Sequence, residues 1–244
     1  MLDTNTVLAT AIVAIYLLDS MQFLCIGEAM VRIRGDAIRG VSFGSSFEMG
    51  GRRPYVPNPL TPFWPDVPVD WMGQADAAQS PANVTEDMRR RLGAIRPVSL
   101  VASASAALIV GVAPAALLSG QDRIFIASAL ATFVCSIAAC FLVARRRHDL
   151  GLTAWQACSL CVVALVCLPC AGNFGRALAA RRRWNVQAAD LPSLAADAAA
   201  QARVRQALVP LLENARRRAD EESTEYRLLG EQLQRLRENP SESH

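Results

Sequence analysis

Four stretches of the chain are almost unbroken in apolar residues: 5–26, 98–119, 124–144 and 152–172. The last three contain no Asp, Glu, Lys, Arg or His, and the first contains Asp19 alone. A bilayer core about 30 Å thick takes about 20 apolar residues in a helix. None of the four stretches alternates apolar with polar residues, so helices rather than barrel strands are expected. The start, "MLDTNT", carries no basic residue, and Asp19, Ser20 and Gln22 follow the first apolar run. A cleaved leader wants a basic start and a small-residue cleavage site, so 5–26 is read as a span.

Between the first two spans the pattern changes period. "MVRIRG" alternates apolar and charged residues like a half-buried strand, and the Gly50–Gly51 pair suits a two-residue hairpin turn. Pro54 limits the strand after it to a sheet edge. Pro59, Pro62, Pro65 and Pro68 then recur every third residue, the period of polyproline II. With Trp64, and with Tyr55, Phe63 and Trp71 nearby, this rod reads as a docking strip for a partner or as a rigid arm at the membrane interface. "GVSFG" at 40–44 matches a nucleophile elbow, but such an elbow needs a large α/β sheet with an acid and a histidine to follow. It reads instead as a Gly/Ser-rich turn.

Residues 83–96 predict a short helix with Met88, Leu92 and Ile95 on one face and Arg89, Arg90 and Arg91 opposite, suited to an anionic leaflet. From 191 to 238 strong helix formers dominate. Asp190 is the expected cap, and Pro210 is expected to kink or split the helix. Leu208, Leu212, Ala215, Ala219, Glu222, Tyr226, Leu229, Leu233 and Leu236 form a heptad-like seam that needs a partner. The fold expected is mainly α. It is a polytopic helical membrane protein with about four transmembrane helices, a small β and polyproline-rich loop, and a C-terminal amphipathic, coiled-coil-like helix. Its parts are 1–27 (first span), 28–82 (extramembrane loop), 83–175 (juxtamembrane helix and three spans) and 176–244 (helical tail).

Composition adds location and exclusions. The chain is 52% hydrophobic, above the usual share of about 45–50%. All 25 basic residues are Arg, which with the heavy use of Ala points to a GC-rich bacterial genome and an inner membrane. Without Lys there is no Schiff base and no phosphate-binding lysine. With only His148 and His244, histidine-based catalysis is disfavoured, and a net charge of +3 is too small to argue for nucleic acid. Counting Arg near span ends, the 27–97 and 145–151 loops outnumber the N-terminus, the 120–123 turn and the tail by ten to five. That favours both termini outside. The Arg181–Arg183 run argues the other way, and a re-entrant 152–172 would return the tail to the cytoplasm.

"CSLCVVALVCLPC" at 158–170 imitates a zinc signature. On a continuous helix turning about 100° per residue, Cys158 and Cys161 point away from Cys167 and Cys170. Four ligands cannot then converge, so the thiols read as small apolar packing groups. No metal or cofactor is implied. Asp19 is the one ionisable group inside a span, and such groups are candidate sites. Tyr16, Asp19 and Gln22 share a face, and Ser103, Ser136, Gln156 and Ser159 fall at similar depth, so a polar layer between helices is expected. No catalytic acid, base and nucleophile set converges in the pattern. The chain reads as a non-enzymatic scaffold or accessory subunit of a membrane complex. Its partners are the bilayer and, through Tyr226, Leu229, Leu233 and Leu236, another copy or another subunit. The alternative is a small transporter or channel subunit using the Asp19 layer.

Overall fold

The computed structural model describes residues 3–25, 27–34, 37–45, 47–58, 64, 66–72, 81–195, 197–219 and 224–238, with side chains described at all of these but 33–34, 37–39, 81 and 224–225. The described chain is mainly helical with small sheets. It divides into two compact units, each drawn from three stretches. Unit 1 is Met1–Gln22, Val56–Asp66 and Arg89–Arg181; unit 2 is Phe23–Tyr55, Val67–Met88 and Arg182–His244.

Unit 1 is a helical bundle. Helix α1, Thr4–Ser20, is 17 residues long. The predicted first span therefore stops early: Met21 is extended, and Gln22–Cys25 becomes strand β1. Helix α2, Pro81–Ala107, runs without a break through Pro97, so the predicted juxtamembrane helix and second span are continuous. A π turn over Leu108–Val112 follows, then α3, Ala113–Leu118. The wide turn sits just ahead of Pro114, whose ring would press on the Val110 carbonyl in a regular helix. Helix α4, Asp122–Arg146, is the continuous helix expected over 124–144. By length and composition Ala82–Leu118 and Asp122–Arg146 are long and apolar enough to cross a membrane, while Thr4–Ser20 and Ala154–Val166 are shorter apolar helices.

The fourth predicted span breaks in two. Helix α5, Ala154–Val166, ends at Cys167, whose φ of −111° and ψ of 87° leave helical space. Helix α6, Leu168–Ala171, carries Pro169 in its first turn, where a missing N–H costs nothing. Helix α7 is Phe174–Ala180. Along α4, α5 runs antiparallel, and the Cys140 and Cys161 thiols each donate to the other's carbonyl at 3.8 and 3.9 Å. The segment then comes back. Arg91 marks the return: its Nη1 lies 3.5 Å from the point a Cβ on Gly151 would occupy, and its Nη2 donates to the Leu178 carbonyl at 3.5 Å. One guanidinium thus touches both ends of 151–178. Residues 152–180 form a hairpin about 20 Å deep at 1.5 Å per residue, not a rod.

Unit 2 carries the sheets. Strands β2 (Glu28–Arg34), β3 (Ala37–Ser42), β5 (Val67–Asp70) and β6 (Trp184–Asn185) form one sheet in the order β3-β2-β5-β6. Both neighbours of β2 are antiparallel to it. β5 and β6 are parallel, with Val69 opposite Trp184 and Asp70 opposite Asn185. β4 (Arg52–Tyr55) pairs with β1. Gly50 and Gly51 both have positive φ, 59° and 75°, and turn the chain between Met49 and Arg52 as expected. "GVSFG" is not a turn: Gly40, Val41 and Ser42 are the end of β3. Two anchors tie the start of α2 to the strands. Trp184 Nε1 donates to Asp87 Oδ2 at 2.7 Å, and Arg182 meets the same carboxylate at 2.8 Å. Arg183 pairs with the buried Glu28. Met88 and Ile95 are wholly buried, so the apolar face of 83–96 covers protein rather than a leaflet.

The tail is a helical hairpin. Helix α8, Ala198–Arg218, passes through Pro210 and is capped by Asp197, whose side chain accepts from the Ala200 N–H at 2.6 Å; Asp190 lies in a 3₁₀ turn instead. Helix α9, Thr224–Glu238, packs back on α8.

Spin labels on the exposed Ala154 and Arg181 test the re-entrant path. The hairpin predicts a separation under about 20 Å, whereas one straight helix would place them ~40 Å apart.

Candidate functional site

The turn of the hairpin brings together the main buried polar cluster described in unit 1. Asn173 is 2% exposed and Arg176 is 3% exposed. The Asn173 amide faces two ways. Its Nδ2 donates to the Tyr16 carbonyl at 2.9 Å and to Asp19 Oδ2 at 3.2 Å. Its Oδ1 accepts from Arg176 Nη1 at 2.8 Å. Arg176 Nη2 donates to the carbonyl of Asn58. Asp19, at the exposed end of α1, is thus linked to a buried cation through one amide. Burying a charge is expensive unless it is hydrogen-bonded and compensated; here the two terminal nitrogens of Arg176 each find an acceptor, while its buried Nε does not.

Sequence dictates this assembly through "GNFGR". A Cβ on Gly172 would stand 2.9 Å from Tyr16 Cε2 and 3.1 Å from Ala106 Cα. A Cβ on Gly175 would collide with the Ser99 side chain. Both glycines let the returning arm approach α1 and α2 closely enough for Asn173 to reach Tyr16 and Asp19.

The expected polar layer is only partly realised. Tyr16 and Asp19 belong to the cluster. Gln22 does not, because α1 ends before it and places it on β1. Ser103 donates to its own helix, to the Ser99 carbonyl at 2.6 Å. Ser136 donates to the Thr132 carbonyl, and Thr132 to that of Ser128, each at 2.9 Å. Gln156 closes a capping box with Thr153 at the start of α5, and Ser159 is half-buried on the same helix. Hydroxyls in an apolar bundle can satisfy themselves by back-bonding to the preceding turn, which depth along a span does not reveal. Asn173 and Arg176 were missed because 173 lies just past the predicted fourth span; the signal available was two polar residues, each preceded by a glycine, within the seven residues after Pro169.

The proposed docking residues also land differently. Pro59, Pro62 and Pro65 lie outside the described residues, while Trp64 is half-buried in unit 1. Pro68 is not part of a rod. It sits in β5 opposite Met30, and the pairing of β5 with β6 begins only at Val69, so its missing N–H interrupts no ladder bond. Leu229, Leu233 and Leu236 are buried, at 5%, 5% and 3% exposure, as α9 packs on α8. Tyr226 lies under the Arg216 guanidinium at 4.3 Å. The seam finds its partner in the preceding helix because the chain breaks near 219 rather than at Pro210. Among the cysteines, Cys167 and Cys170 form a disulfide and so are not merely packing groups, whereas Cys158 and Cys161 are free. No family model, curated protein or solved structure matches the chain.

Gly175→Ala is expected to lower the stability of the folded protein by about 1–3 kcal/mol through overpacking. Gly93→Ala, where the space is open, should gain about 0.5–1 kcal/mol from helix propensity. Thermal unfolding of the two variants side by side checks both signs.

Proposed function

We propose that the chain is an integral protein of a bacterial inner membrane, with unit 1 in the bilayer and unit 2 on the cytoplasmic side, and that it serves as a non-enzymatic scaffold or accessory subunit of a membrane complex. The observation that carries this reading is the inverted surface of α4. Its buried positions are Ser128, Thr132, Ser136, Ala139 and Val143. Its exposed positions include Leu130, Val134 and Phe141, at 62%, 64% and 64%. Water would select the opposite arrangement, whereas in lipid small residues make the helix contacts and large apolar ones face outward. On α5, Trp155, Val163 and Val166 are likewise exposed.

The hairpin removes the conflict in the charge count. With 152–180 entering and leaving on one side, the Arg181–Arg183 run joins the loops that carry Arg89–Arg91 and Arg145–Arg147, and Arg123 stands alone opposite them. The N-terminus is then outside and the tail inside, in keeping with the positive-inside rule. A scaffold role draws support from the cluster, in which the Asn173 amide joins Asp19 on α1 to Arg176 on the returning arm as a structural tie. Its exposed working part is unit 2, through which another subunit of the complex would dock.

A second reading, a small transporter or channel subunit, is favoured by one feature: a carboxylate, an amide and a guanidinium meet at the turn of a broken hairpin. Interrupted helices of that kind line binding sites in transporters. Proton or ion flux into liposomes carrying the purified protein, lost in Asp19→Asn, would replace the scaffold reading with this one. The scaffold reading expects no such flux, and expects the native membrane complex to dissociate when 197–238 is deleted while the protein itself stays in the membrane.

Leu130→Arg separates a bilayer from water directly. On a water-facing surface the change is nearly neutral. In lipid it costs about 2.5–3.5 kcal/mol of insertion near a helix centre, and the membrane-integrated fraction after alkaline extraction should fall sharply.

A further inference from the structure

We propose that Cys167 and Cys170 are a reversible dithiol–disulfide couple that exchanges with an external thiol compound. The pair is closed in the structure with a sequence separation of 3, in the sequence Cys-Leu-Pro-Cys. A cross-link stabilises by restricting the unfolded chain, and the gain grows with the loop it closes. This ring is at the bottom of that scale. The turn it spans is already held by backbone bonds: Cys167 N–H to the Val163 carbonyl at 2.9 Å, Cys170 N–H to the Cys167 carbonyl at 2.9 Å, and Asn173 N–H to the Cys170 carbonyl at 3.0 Å. A purely structural purpose for the bond is therefore weak. Two closely spaced cysteines of this kind are the arrangement that thiol–disulfide chemistry uses.

Position sets this pair apart from the other thiols. Cys158 and Cys161 have the same spacing but lie within the regular turns of α5 and are unlinked. Cys140 and Cys161 are neighbours, yet each thiol is directed at the other's carbonyl rather than at the other sulfur. Only Cys167 and Cys170 stand where the helix is interrupted. There the backbone can bring two sulfurs together without unwinding a helix, and release them without collapsing one. The site is reachable by a compound that enters lipid: both residues are half-buried, and Val166 beside them is 81% exposed on the face read above as lipid-facing.

The exchange balances as two displacements. A thiolate of the external compound attacks one sulfur of the pair. The Cys167–Cys170 bond breaks, a mixed disulfide forms, and the departing thiolate takes up a proton. A second external thiolate then attacks its own sulfur in the mixed disulfide and frees the remaining cysteine, which is protonated in turn. Two electrons and two protons have passed to the pair, and the external thiols leave joined by a disulfide.

Dithiothreitol and hydroxyethyl disulfide, both uncharged and able to enter detergent or lipid, are suitable probes on the full-length folded protein. Peptide mass spectrometry after acid quenching should find the 167–170 peptide oxidised as isolated. It should gain two hydrogens with dithiothreitol and lose them again with hydroxyethyl disulfide, with the helical circular dichroism unchanged throughout. In Cys170→Ser, hydroxyethyl disulfide should leave a mercaptoethanol adduct on Cys167 that the unaltered protein resolves internally and does not accumulate. The proposal is overturned if the pair is reduced as isolated and does not close, if it opens only when the helical signal is lost, or if Cys158 and Cys161 close as readily.

Discussion

The pairing of β5 with β6 is the constraint on which the rest depends. Val69 and Trp184 lie far apart in sequence yet sit opposite each other in one sheet. Everything between them must leave unit 2 and come back to it. Two long apolar helical segments, α2–α3 and α4, lie on that path, and a third apolar segment follows. Were that third segment a full crossing like the other two, and unit 1 in a bilayer as proposed, β6 would emerge on the far side from β5 and the ladder could not form. The hairpin of 152–180 resolves this parity. It is apolar enough to resemble a span but returns to the Arg91 guanidinium beside which it started.

A chain that reverses inside an apolar bundle must satisfy its own polar groups there. The turn does so locally, through the backbone bonds of Cys167, Cys170 and Asn173, and through the Asn173 amide, which gives Tyr16 and Asp19 a donor and Arg176 an acceptor. Close approach makes those bonds possible, and Gly172 and Gly175 make the close approach possible. The cluster thus fastens α1 to the returning arm.

Apolar runs and turn chemistry were legible in the sequence. The helical class, the long apolar helix α4, the β2 strand and the Gly50–Gly51 turn follow from periodicity and from glycine's freedom at positive φ. What was not legible depends on contacts between distant residues. Apolar length alone cannot tell a rod from a hairpin, and the break in 152–172 lies in the non-helical backbone of Cys167. Heptad spacing in the tail showed that a seam needed a partner but not that α8 would supply it; Pro210 looked like the break, yet α8 absorbs it. Pro68 kept the three-residue rhythm of the prolines before it and was captured by β2 pairing. Asp19 was visible as an anomaly, whereas Asn173 and Arg176 became meaningful only once the return of the chain placed them beside it.

Sidedness of three exposed positions tests the central claim most directly. Single cysteines at Gln121, Asp149 and Arg217, each in a variant lacking the native cysteines, can be probed with an impermeant maleimide in intact and in inverted membrane vesicles. The account predicts that 149 and 217 react from the same side, the cytoplasmic one, and 121 from the other. If 217 reacts together with 121, residues 152–180 cross the bilayer, β5 cannot reach β6, and the account is contradicted.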